Sequence, residues 1–285
     1  MDHPLNLPKL DIPRLLHQYG LHPDKSLGQN FLVDETALQQ VVKAACLSAQ
    51  EMVLEIGPGL GSLTRYLAIS AGSVVAIELD HNLIPPLIQV VGQYENVRVI
   101  EGDIMRLDPV ELISGQEYVV VANIPYYITS ALLRHLMEAP LPPKRLVLTV
   151  QREVARRICA LPGEMSLLAL SVQVYGSPRI LAEIPASAFY PPPKIDSSVL
   201  RIDLFSNPLI PEPQLNIFFQ LIKAGFSQKR KTLRNALSAG LHLPSSRIEH
   251  LLHTAGIDPM RRAETLDITE WHRLTNRFGE QSKKE

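Results

Sequence analysis

The sequence has little cysteine. Its 285 residues contain two, Cys46 and Cys159, and no Cys-x-x-Cys pair. Cysteines so few and so far apart favour neither a disulfide framework nor a zinc site, and they are typical of a protein kept in a reducing compartment. We therefore expect no metal in the functional site.

Long apolar runs are also missing. No stretch reaches the roughly 20 residues that a helix needs to cross a bilayer. The first residues, Met1–Leu5, show neither a basic-plus-apolar signal nor an Arg-rich transit pattern. We expect a cytoplasmic monomer that does not associate with membranes.

The chain has no excess of charge of either sign, since its formal net charge is −1. Hydrophobic residues make up 46% and charged residues 20%, which is the composition of an ordinary soluble globular protein. The length is enough for two domains. A near-neutral total does not indicate nucleic-acid binding, so any such role must come from local clusters of basic residues.

Short apolar runs alternate with helical segments from Met52 onward. This alternation predicts a doubly wound α/β domain of the Rossmann-like kind, with a parallel sheet covered on both faces by helices. Val199–Phe205 and Leu168–Val174 could add last strands, in antiparallel orientation. The predicted strands are Met52–Ile56, Val74–Ile77, Val97–Ile100, Tyr118–Ala122 and Arg145–Gln151, and the helices between them include Leu63–Ile69, Asn82–Val91 and Ser130–Glu138.

Three prolines within residues 207–213 are typical of a linker. The remaining sequence is helical in pattern, which indicates a small all-helical domain. We predict an N-terminal arm at 1–25, the α/β domain at 26–206 and the helical domain at 207–285. The helices predicted there are Gln214–Phe226, Arg230–Ala239, Ser246–Thr254 and Thr269–Phe278.

A glycine-rich turn follows the first predicted strand, in Glu55-Ile-Gly57-Pro-Gly59-Leu-Gly61. Glycines let a backbone turn sharply and approach a ligand closely. A dinucleotide fingerprint would place its third glycine at position 62, which is Ser62 here, so a nicotinamide dehydrogenase is disfavoured. The turn suits S-adenosylmethionine better, although a purely structural tight turn is an alternative.

Acidic residues also end the next two predicted strands. Glu78 is placed to accept both hydroxyls of a ribose, and Asp103 to accept from an adenine amine. Each acid alone is explained as well by a solvated charge at a strand end. Together with Glu55 they form three acids at three successive strand ends, which favours a nucleoside site.

The fourth strand ends in Asn123-Ile124-Pro125-Tyr126. Pro125 lacks an N–H and disfavours helical backbone at Ile124, so the chain must leave the strand in an extended turn. An amide, a free carbonyl and an aromatic ring at the carboxyl edge of a sheet suit a flat ring that bears an amine. The alternative is a strand-ending turn with a packed tyrosine.

These motifs resemble those of the small-subunit rRNA adenine N6,N6-dimethyltransferases, the bacterial kasugamycin-sensitivity enzymes. The resemblance runs from position 26 to past 260. The matching segments are Ser26-Leu-Gly-Gln-Asn-Phe-Leu32, Glu55-Ile-Gly-Pro-Gly-Leu-Gly61, Glu78-Leu-Asp80, Gly102-Asp103, Asn123-Ile-Pro-Tyr126, Phe189-Tyr-Pro-Pro-Pro-Lys-Ile-Asp-Ser-Ser198, Phe226-Ser-Gln-Lys-Arg-Lys-Thr-Leu-Arg-Asn235, Gly256-Ile-Asp-Pro259 and Arg262-Ala-Glu264.

The resemblance implies a methyltransferase domain that uses S-adenosyl-L-methionine. It implies methyl transfer to two adjacent adenosines in a 3′-terminal hairpin loop of 16S rRNA, within an immature 30S subunit. It also implies that residues 29–32 close over the methionine end of the cofactor. The implied cofactor-binding residues are Asn30, Leu32, Gly57, Gly59, Glu78, Asp103 and Asn123. The family commonly has Asn where this chain has Tyr127.

For catalysis, the Asn123 side chain and the Ile124 carbonyl are expected to accept the two hydrogens of the adenine amine. Tyr126 and, by resemblance, Phe189 would stack on the base, with Pro125 shaping the turn. A core aromatic is an equally good interpretation of Phe189.

Basic residues cluster in the last third of the chain and indicate phosphate contacts. Lys144, Arg145, Arg156 and Arg157 form a second cluster with Arg152. The predicted RNA-binding residues are Lys223, Lys229, Arg230, Lys231, Arg234 and Arg152. Two alternatives remain: an adenine-N6 methyltransferase acting on other RNA or on DNA, and a mainly non-catalytic ribosome-assembly factor.

Overall fold

The structure, a computed structural model, describes residues 7–124 and 128–282. The chain divides into two compact units. The first extends through Ala155 and resumes at Arg179–Leu204, and the second comprises Arg156–Pro178 and the chain from Phe205 onward. Residues 156–178 thus group with the helices that follow position 205.

A central sheet organises the first unit. Its strands are β2 (Met52–Ile56), β3 (Ser73–Glu78), β4 (Val97–Glu101), β5 (Tyr118–Asn123), β6 (Arg145–Gln151), β7 (Gly176–Ile184) and β9 (Ser197–Leu204). Their order across the sheet is β4-β3-β2-β5-β6-β9-β7. Strands β2 to β6 pair in parallel, and β9 runs antiparallel to β6. The predicted parallel sheet is therefore confirmed, as is the antiparallel strand near Val199–Phe205.

Helices cover the strands because alternate strand residues face opposite sides of a sheet. On one side Val53, Val121 and Val147 pack into a buried cluster with Leu38 and Leu63. A separate two-stranded ladder pairs β1 (Phe31–Leu32) with β8 (Phe189–Tyr190). The helices in the chain up to residue 158 are α1 (Ile12–Gln18), α2 (Glu35–Ala45), α3 (Ser62–Ala68), α4 (Ile84–Val91), α5 (Pro109–Leu112), α6 (Thr129–Met137) and α7 (Arg152–Ile158).

The second unit is helical and packs around Trp271, which is fully buried. The Trp271 ring stacks on Phe226 with ring centroids 6.1 Å apart. Gly225 allows this approach, since a Cβ there would lie 2.6 Å from the Trp271 ring. The helices are α8 (Leu167–Gln173), α9 (Glu212–Phe226), α10 (Leu233–Leu241), α11 (Ser245–Thr254) and α12 (Ile268–Ser282).

The prediction of a strand at Leu168–Val174 is wrong, because this segment forms α8. Its second half, Leu170-Ser-Val-Gln-Val174, alternates apolar and polar residues, which is the pattern of a half-buried strand rather than of a helix. The cap decides between them: the Ser166 side chain accepts a hydrogen bond from the Ala169 N–H at 3.1 Å, which starts a helix.

The helix predicted at Arg230–Ala239 begins later, at Leu233. Before it, the Lys231 N–H donates to the Gln228 carbonyl at 3.0 Å and closes a turn. The basic residues from 229 to 231 therefore lie in a turn ahead of α10 and not on the helix. Within the described ranges, 7–124 and 128–282, no helix combines the length and apolar character needed to span a membrane.

Candidate active site

A cavity of about 270 Å³ lies at the carboxyl ends of β2, β3, β4 and β5. This is the edge at which open α/β sheets bind ligands. The glycine turn, the strand-end acids and residues 27–32 enclose it. The lining residues include Leu27, Gly28, Gln29, Asn30, Phe31, Leu32, Glu55, Gly57, Gly59, Ile77, Glu78, Leu79, Asp103, Ile104, Met105, Asn123, Ile124 and Ile128.

The glycine turn between β2 and α3 depends on backbone that other residues rarely adopt. Gly57, Gly59 and Gly61 have φ angles of 71°, 59° and 84°. The Gly57 N–H donates to the Ile77 carbonyl at 2.9 Å, and the Gly61 N–H donates to the Pro58 carbonyl at 3.0 Å. The turn is therefore tied to the neighbouring strand β3.

Glu78, at the end of β3, holds the same turn from the other side. One carboxylate oxygen accepts from the Gly59 N–H and the other from the Asp80 N–H, both at 2.9 Å. Burial raises the pKa of the Glu78 carboxyl, against the lowering effect of these two N–H groups. Each oxygen keeps a second lone pair, so the group can still accept from a ligand hydroxyl.

Glu55 lies beneath the glycine turn and is 1% exposed. Its Oε2 atom has no hydrogen-bond partner within the described chain. Burial raises the pKa of this carboxyl to about 8; the neighbouring Thr64 hydroxyl lowers it, and the nearby Glu78 carboxylate raises it further. The cavity wall thus contains an acceptor that a cationic group of a ligand could satisfy.

Asp103 follows the end of β4 and lines the same cavity. Its Oδ1 atom accepts from the Met105 N–H at 3.0 Å, which fixes the carboxylate at the start of a turn. Leu79, Ile104 and Met105 line the adjacent wall. A carboxylate can accept from an exocyclic amine, and apolar side chains beside it can contact a flat ring such as a purine.

Residues 27–32 cover the glycine turn. The Phe31 ring packs directly on Gly59, since a Cβ at Gly59 would lie 2.9 Å from two ring carbons. Phe31 also belongs to a buried cluster with Ile12 and Leu15 of α1, together with Leu60. Helix α1 therefore supports the covering segment from behind.

Gln29 connects this segment to the end of β3. Its Nε2 atom donates to Asp80 Oδ2 at 2.8 Å, while its Oε1 atom accepts from the Asp24 N–H at 2.8 Å. Asn30 donates from Nδ2 to the Gly28 carbonyl at 3.0 Å.

Asn123 is the last residue of β5 and lies opposite Thr149 of β6 in the sheet register. Its Nδ2 atom donates to the Asn30 carbonyl at 3.0 Å. The Ile124 N–H donates to the Thr149 carbonyl at 3.4 Å, so the backbone stays attached to the sheet as it turns. Pro125, Tyr126 and Tyr127 lie outside the described residues, and the roles of Pro125 and Tyr126 stay predictions.

Phe189 does not line the cavity. It is 4% exposed, pairs with Leu32 across the β1–β8 ladder and packs in the core beside α2. This placement is the core position that the sequence left open as an alternative. Stacking of Phe189 on a base stays a prediction.

The structure places eight of the predicted cofactor-binding and catalytic residues around one cavity. These are Asn30, Leu32, Gly57, Gly59, Glu78, Asp103, Asn123 and Ile124. Sequence reasoning missed the bridge from Gln29 to Asp80 and the contact between Phe31 and Gly59. Gln29 and Phe31 lie in a motif that the sequence already marks, but only the fold brings Gln29 into contact with Asp80, 51 positions away.

The predicted RNA-binding residues do not share one environment. Lys223, Lys229, Arg230 and Lys231 are exposed in the second unit. Arg234 pairs with Glu249 at 3.1 Å, and Arg152, in the first unit, pairs with Asp196 at 3.3 Å. The turn at 229–231 therefore presents the densest exposed positive charge among the predicted residues.

Lys144 and Arg145 lie apart from Arg152, so these three residues do not form one patch. Lys144 and Arg145 lie at the start of β6 and Arg152 follows it, so a seven-residue strand, roughly 20 Å long, separates them. Lys144 pairs with Glu117 at 2.7 Å and Arg145 with Glu51 at 2.5 Å. Among the described residues, no group of His, Cys, Asp or Glu is arranged to hold a metal ion.

The chain is similar to known proteins over most of its length. Residues 21–280 match the family described as "Ribosomal RNA adenine dimethylase". A protein of Dehalococcoides mccartyi (strain CBDB1) named "Ribosomal RNA small subunit methyltransferase A" is 45% identical over 262 residues, covering 91% of this chain and 90% of that protein. A protein of the same name from Alkaliphilus oremlandii is 41% identical, covering 93% and 95%.

Solved structures show the same architecture. A dimethyladenosine transferase from Plasmodium falciparum superposes with a TM-score of 0.78 at 26% identity, covering 88% of this chain and 98% of that one. The 23S rRNA methyltransferase ErmE gives a TM-score of 0.71 at 27% identity, covering 88% and 100%.

Proposed function

Because the chain belongs to the ribosomal RNA adenine dimethylase family, we propose that it methylates N6 of two adjacent adenosines in a 3′-terminal hairpin loop of 16S rRNA. The methyl donor is S-adenosyl-L-methionine, the products are N6,N6-dimethyladenosines, and the substrate is an immature 30S subunit. The reaction takes place in the cytoplasm.

One observation carries this proposal. The glycine turn, the acids Glu55, Glu78 and Asp103 and the amide of Asn123 all line one cavity. The acids can receive a ligand's ammonium, hydroxyl and amine groups, and Asn123 lies where a second ligand can meet the first. A site for a purine nucleoside beside an acceptor for an amine supports adenine methylation.

The cavity fits S-adenosyl-L-methionine by the chemistry of its donors and acceptors. Glu55, whose Oε2 atom has no partner among the described residues, suits the ammonium of the methionine end. The free lone pairs of Glu78 suit the ribose hydroxyls, and Asp103 with its apolar neighbours suits the adenine. The Phe31 ring packs on the glycine turn, since a Cβ at Gly59 would lie 2.9 Å from two of its carbons.

The cofactor, when bound, supplies a methyl group on a sulfonium, which an amine nitrogen can displace directly. The protein's task is to prepare that nitrogen. The lone pair of an adenine amine is delocalised into the ring, so the amine is a poor nucleophile until its hydrogens are drawn out of the ring plane.

Asn123 and Ile124 provide the two acceptors that do this. Asn123 donates through Nδ2 to the Asn30 carbonyl, which leaves its Oδ1 atom as the acceptor for one N–H. The Ile124 carbonyl accepts the other. No strong base is needed, because the amine becomes acidic as it is methylated, and holding the reacting atoms at near-attack distance supplies most of the rate.

The exposed turn at Lys229, Arg230 and Lys231 is the part of the second unit best suited to contact rRNA phosphates. Lys223, exposed near the end of α9, adds charge in the same part of the sequence. Tyr126 stacks on the flipped adenine in this account, which would offset part of the cost of unstacking it.

The test is methyl transfer from labelled S-adenosyl-L-methionine to undermethylated 30S subunits, with cofactor binding measured by calorimetry. We expect Asn123→Ala to bind the cofactor within a few-fold of the parent protein and to lose methyl transfer by about 100-fold or more, the scale seen when a transition-state hydrogen bond is removed. Full turnover by Asn123→Ala would contradict the proposed role.

A further inference from the structure

The covering segment, residues 27–32, is attached to the cavity at two points on opposite sides. On one side Gln29 Nε2 donates to Asp80 Oδ2 at 2.8 Å. On the other side the Asn30 carbonyl accepts from Asn123 Nδ2 at 3.0 Å. The segment therefore joins the end of β3 to the end of β5 across the mouth of the site.

The contact with Asn123 fixes which end of its amide faces the cavity. A backbone carbonyl can only accept, so the amide atom beside the Asn30 oxygen must be the NH₂ group. The Oδ1 atom then points away from Asn30. Without that carbonyl the amide could rotate by half a turn and present a donor, which repels an amine hydrogen, in place of the acceptor that the reaction requires.

The orientation of the Gln29 side-chain amide is also fixed by its partners. Its Oε1 atom accepts from the Asp24 N–H at 2.8 Å, so its NH₂ group must face Asp80. The Gln29 N–H also donates to the Asp24 carbonyl at 3.1 Å. Asp80 uses both carboxylate oxygens, because Oδ1 accepts from the N–H and the Nδ2 of Asn82 at 3.0 Å each.

We propose that the Gln29–Asp80 hydrogen bond is a latch that keeps the Asn30 carbonyl in place and thereby orients the Asn123 amide for methyl transfer. Gln29 is in this view a positioning residue: it acts on the substrate amine only through Asn30 and Asn123. The inference rests on the proposed function, and it adds that the hydrogen bonds that hold the covering segment over the cavity also orient the Asn123 acceptor.

A pair of substitutions can exchange the donor at position 29 and the acceptor at position 80. In Gln29→Glu two carboxylates face each other and the donor is lost. In Asp80→Asn the new NH₂ group faces either Gln29 Nε2 or the donors of Asn82, so at least one hydrogen bond must fail. In the double variant Gln29→Glu/Asp80→Asn, the new amide at position 80 donates to the new carboxylate at position 29, so the latch is restored with the direction of donation reversed.

Two measurements are made on the full chain for the parent, both single variants and the double variant. The first is hydrogen exchange of peptides covering residues 24–32 in the absence of cofactor, which reads the latch independently of activity. The second is the single-turnover rate of methyl transfer to undermethylated 30S subunits at saturating S-adenosyl-L-methionine. Gln116→Glu, the same change at an exposed position, is the matched control.

We expect faster exchange in both single variants and a methyl-transfer rate lower by about tenfold to 100-fold, since misplacing a reacting group by about 1 Å can cost that much. The double variant should return to within about threefold of the parent in both measurements. Gln116→Glu should match the parent.

Each other outcome overturns the inference. Unchanged exchange in Gln29→Glu would mean that no latch exists. Recovery of exchange without recovery of rate in the double variant would mean that the latch does not orient Asn123. If the parent itself transfers no methyl group, the proposed function fails first, and the orientation of Asn123 for transfer falls with it.

Discussion

At the scale of single residues, Glu55 has an ionisation that folding alters strongly. Its carboxyl has a pKa of about 8 in the folded chain, against an ordinary value of 4.5, chiefly because it is buried. Between these two pH values the folded protein holds a proton that the unfolded chain releases, so raising the pH favours unfolding. The free energy of unfolding therefore decreases, because of Glu55, as the pH rises from about 4.5 to about 8.

Glu55→Gln keeps the position neutral and should remove this cost. We expect the variant to gain stability relative to the parent between pH 5 and pH 8, by at least ~1 kcal/mol, since one pKa unit corresponds to about 1.4 kcal/mol. Urea unfolding at the two pH values measures it. Glu95→Gln, at an exposed position, controls for the loss of one carboxylate; an equal change in both variants would contradict the account of Glu55.

Sequence could identify Glu55, Glu78, Asp103 and Asn123 because chain order places them at successive strand ends, and parallel strands bring those ends together. It could not decide the position of Phe189, since a core aromatic and a stacking aromatic look the same in sequence. It also could not give the Gln29–Asp80 bond, which depends on how residues 24–32 fold back over β3.

At the scale of elements, the glycine turn and the segment that covers it form a packed pair. Gly59→Ala places a Cβ 2.9 Å from the Phe31 ring and holds a non-glycine residue at a φ of 59°. The backbone strain alone costs roughly 1–2 kcal/mol. Phe31 must also move, so we expect the affinity for S-adenosyl-L-homocysteine, measured by calorimetry, to fall at least about tenfold.

Gly115→Ala separates strain from packing. Gly115 has a φ of 69°, and a Cβ there would meet nothing within 4 Å. This variant should lose stability and keep its affinity for the cofactor product. Equal affinities in the Gly59 and Gly115 variants would show that the contact between Phe31 and Gly59 does not shape the site.

The turn before α10 makes a separate prediction for RNA binding. Neutralising Lys229, Arg230 and Lys231 together to Gln should weaken binding to 30S subunits and flatten its salt dependence. The slope of log K against log salt should fall by about 2–3, at roughly 0.7–0.9 per phosphate contact. Lys43→Gln, in the first unit, is the control, and an unchanged slope in the triple variant would remove this turn from the interface.

The sequence predicted the positions of strands and helices correctly where the two alternate along the chain, as from Met52 to Gln151. The prediction failed at Leu168–Val174, because alternating apolar and polar residues there are typical of a strand, whereas the Ser166 cap starts a helix. The start of α10 was also missed, since lysine and arginine are good helix formers wherever they stand.

At the scale of the whole molecule, the sequence predicted an α/β part followed by a helical part, and the structure describes two compact units. Residues 156–178 group with the second unit although they precede the last strand in the chain. Local propensity does not carry this information, because membership of a unit is set by contacts between distant segments.

We propose that this chain places two methyl groups on each of two adjacent adenosines of 16S rRNA. The most direct measurement is mass spectrometry of the 3′-terminal rRNA fragment after undermethylated 30S subunits are incubated with the parent protein and S-adenosyl-L-methionine. We expect two adjacent N6,N6-dimethyladenosines with the parent and none with Asn123→Ala. Unmodified adenosines with the parent, or methyl groups at another base, would contradict it.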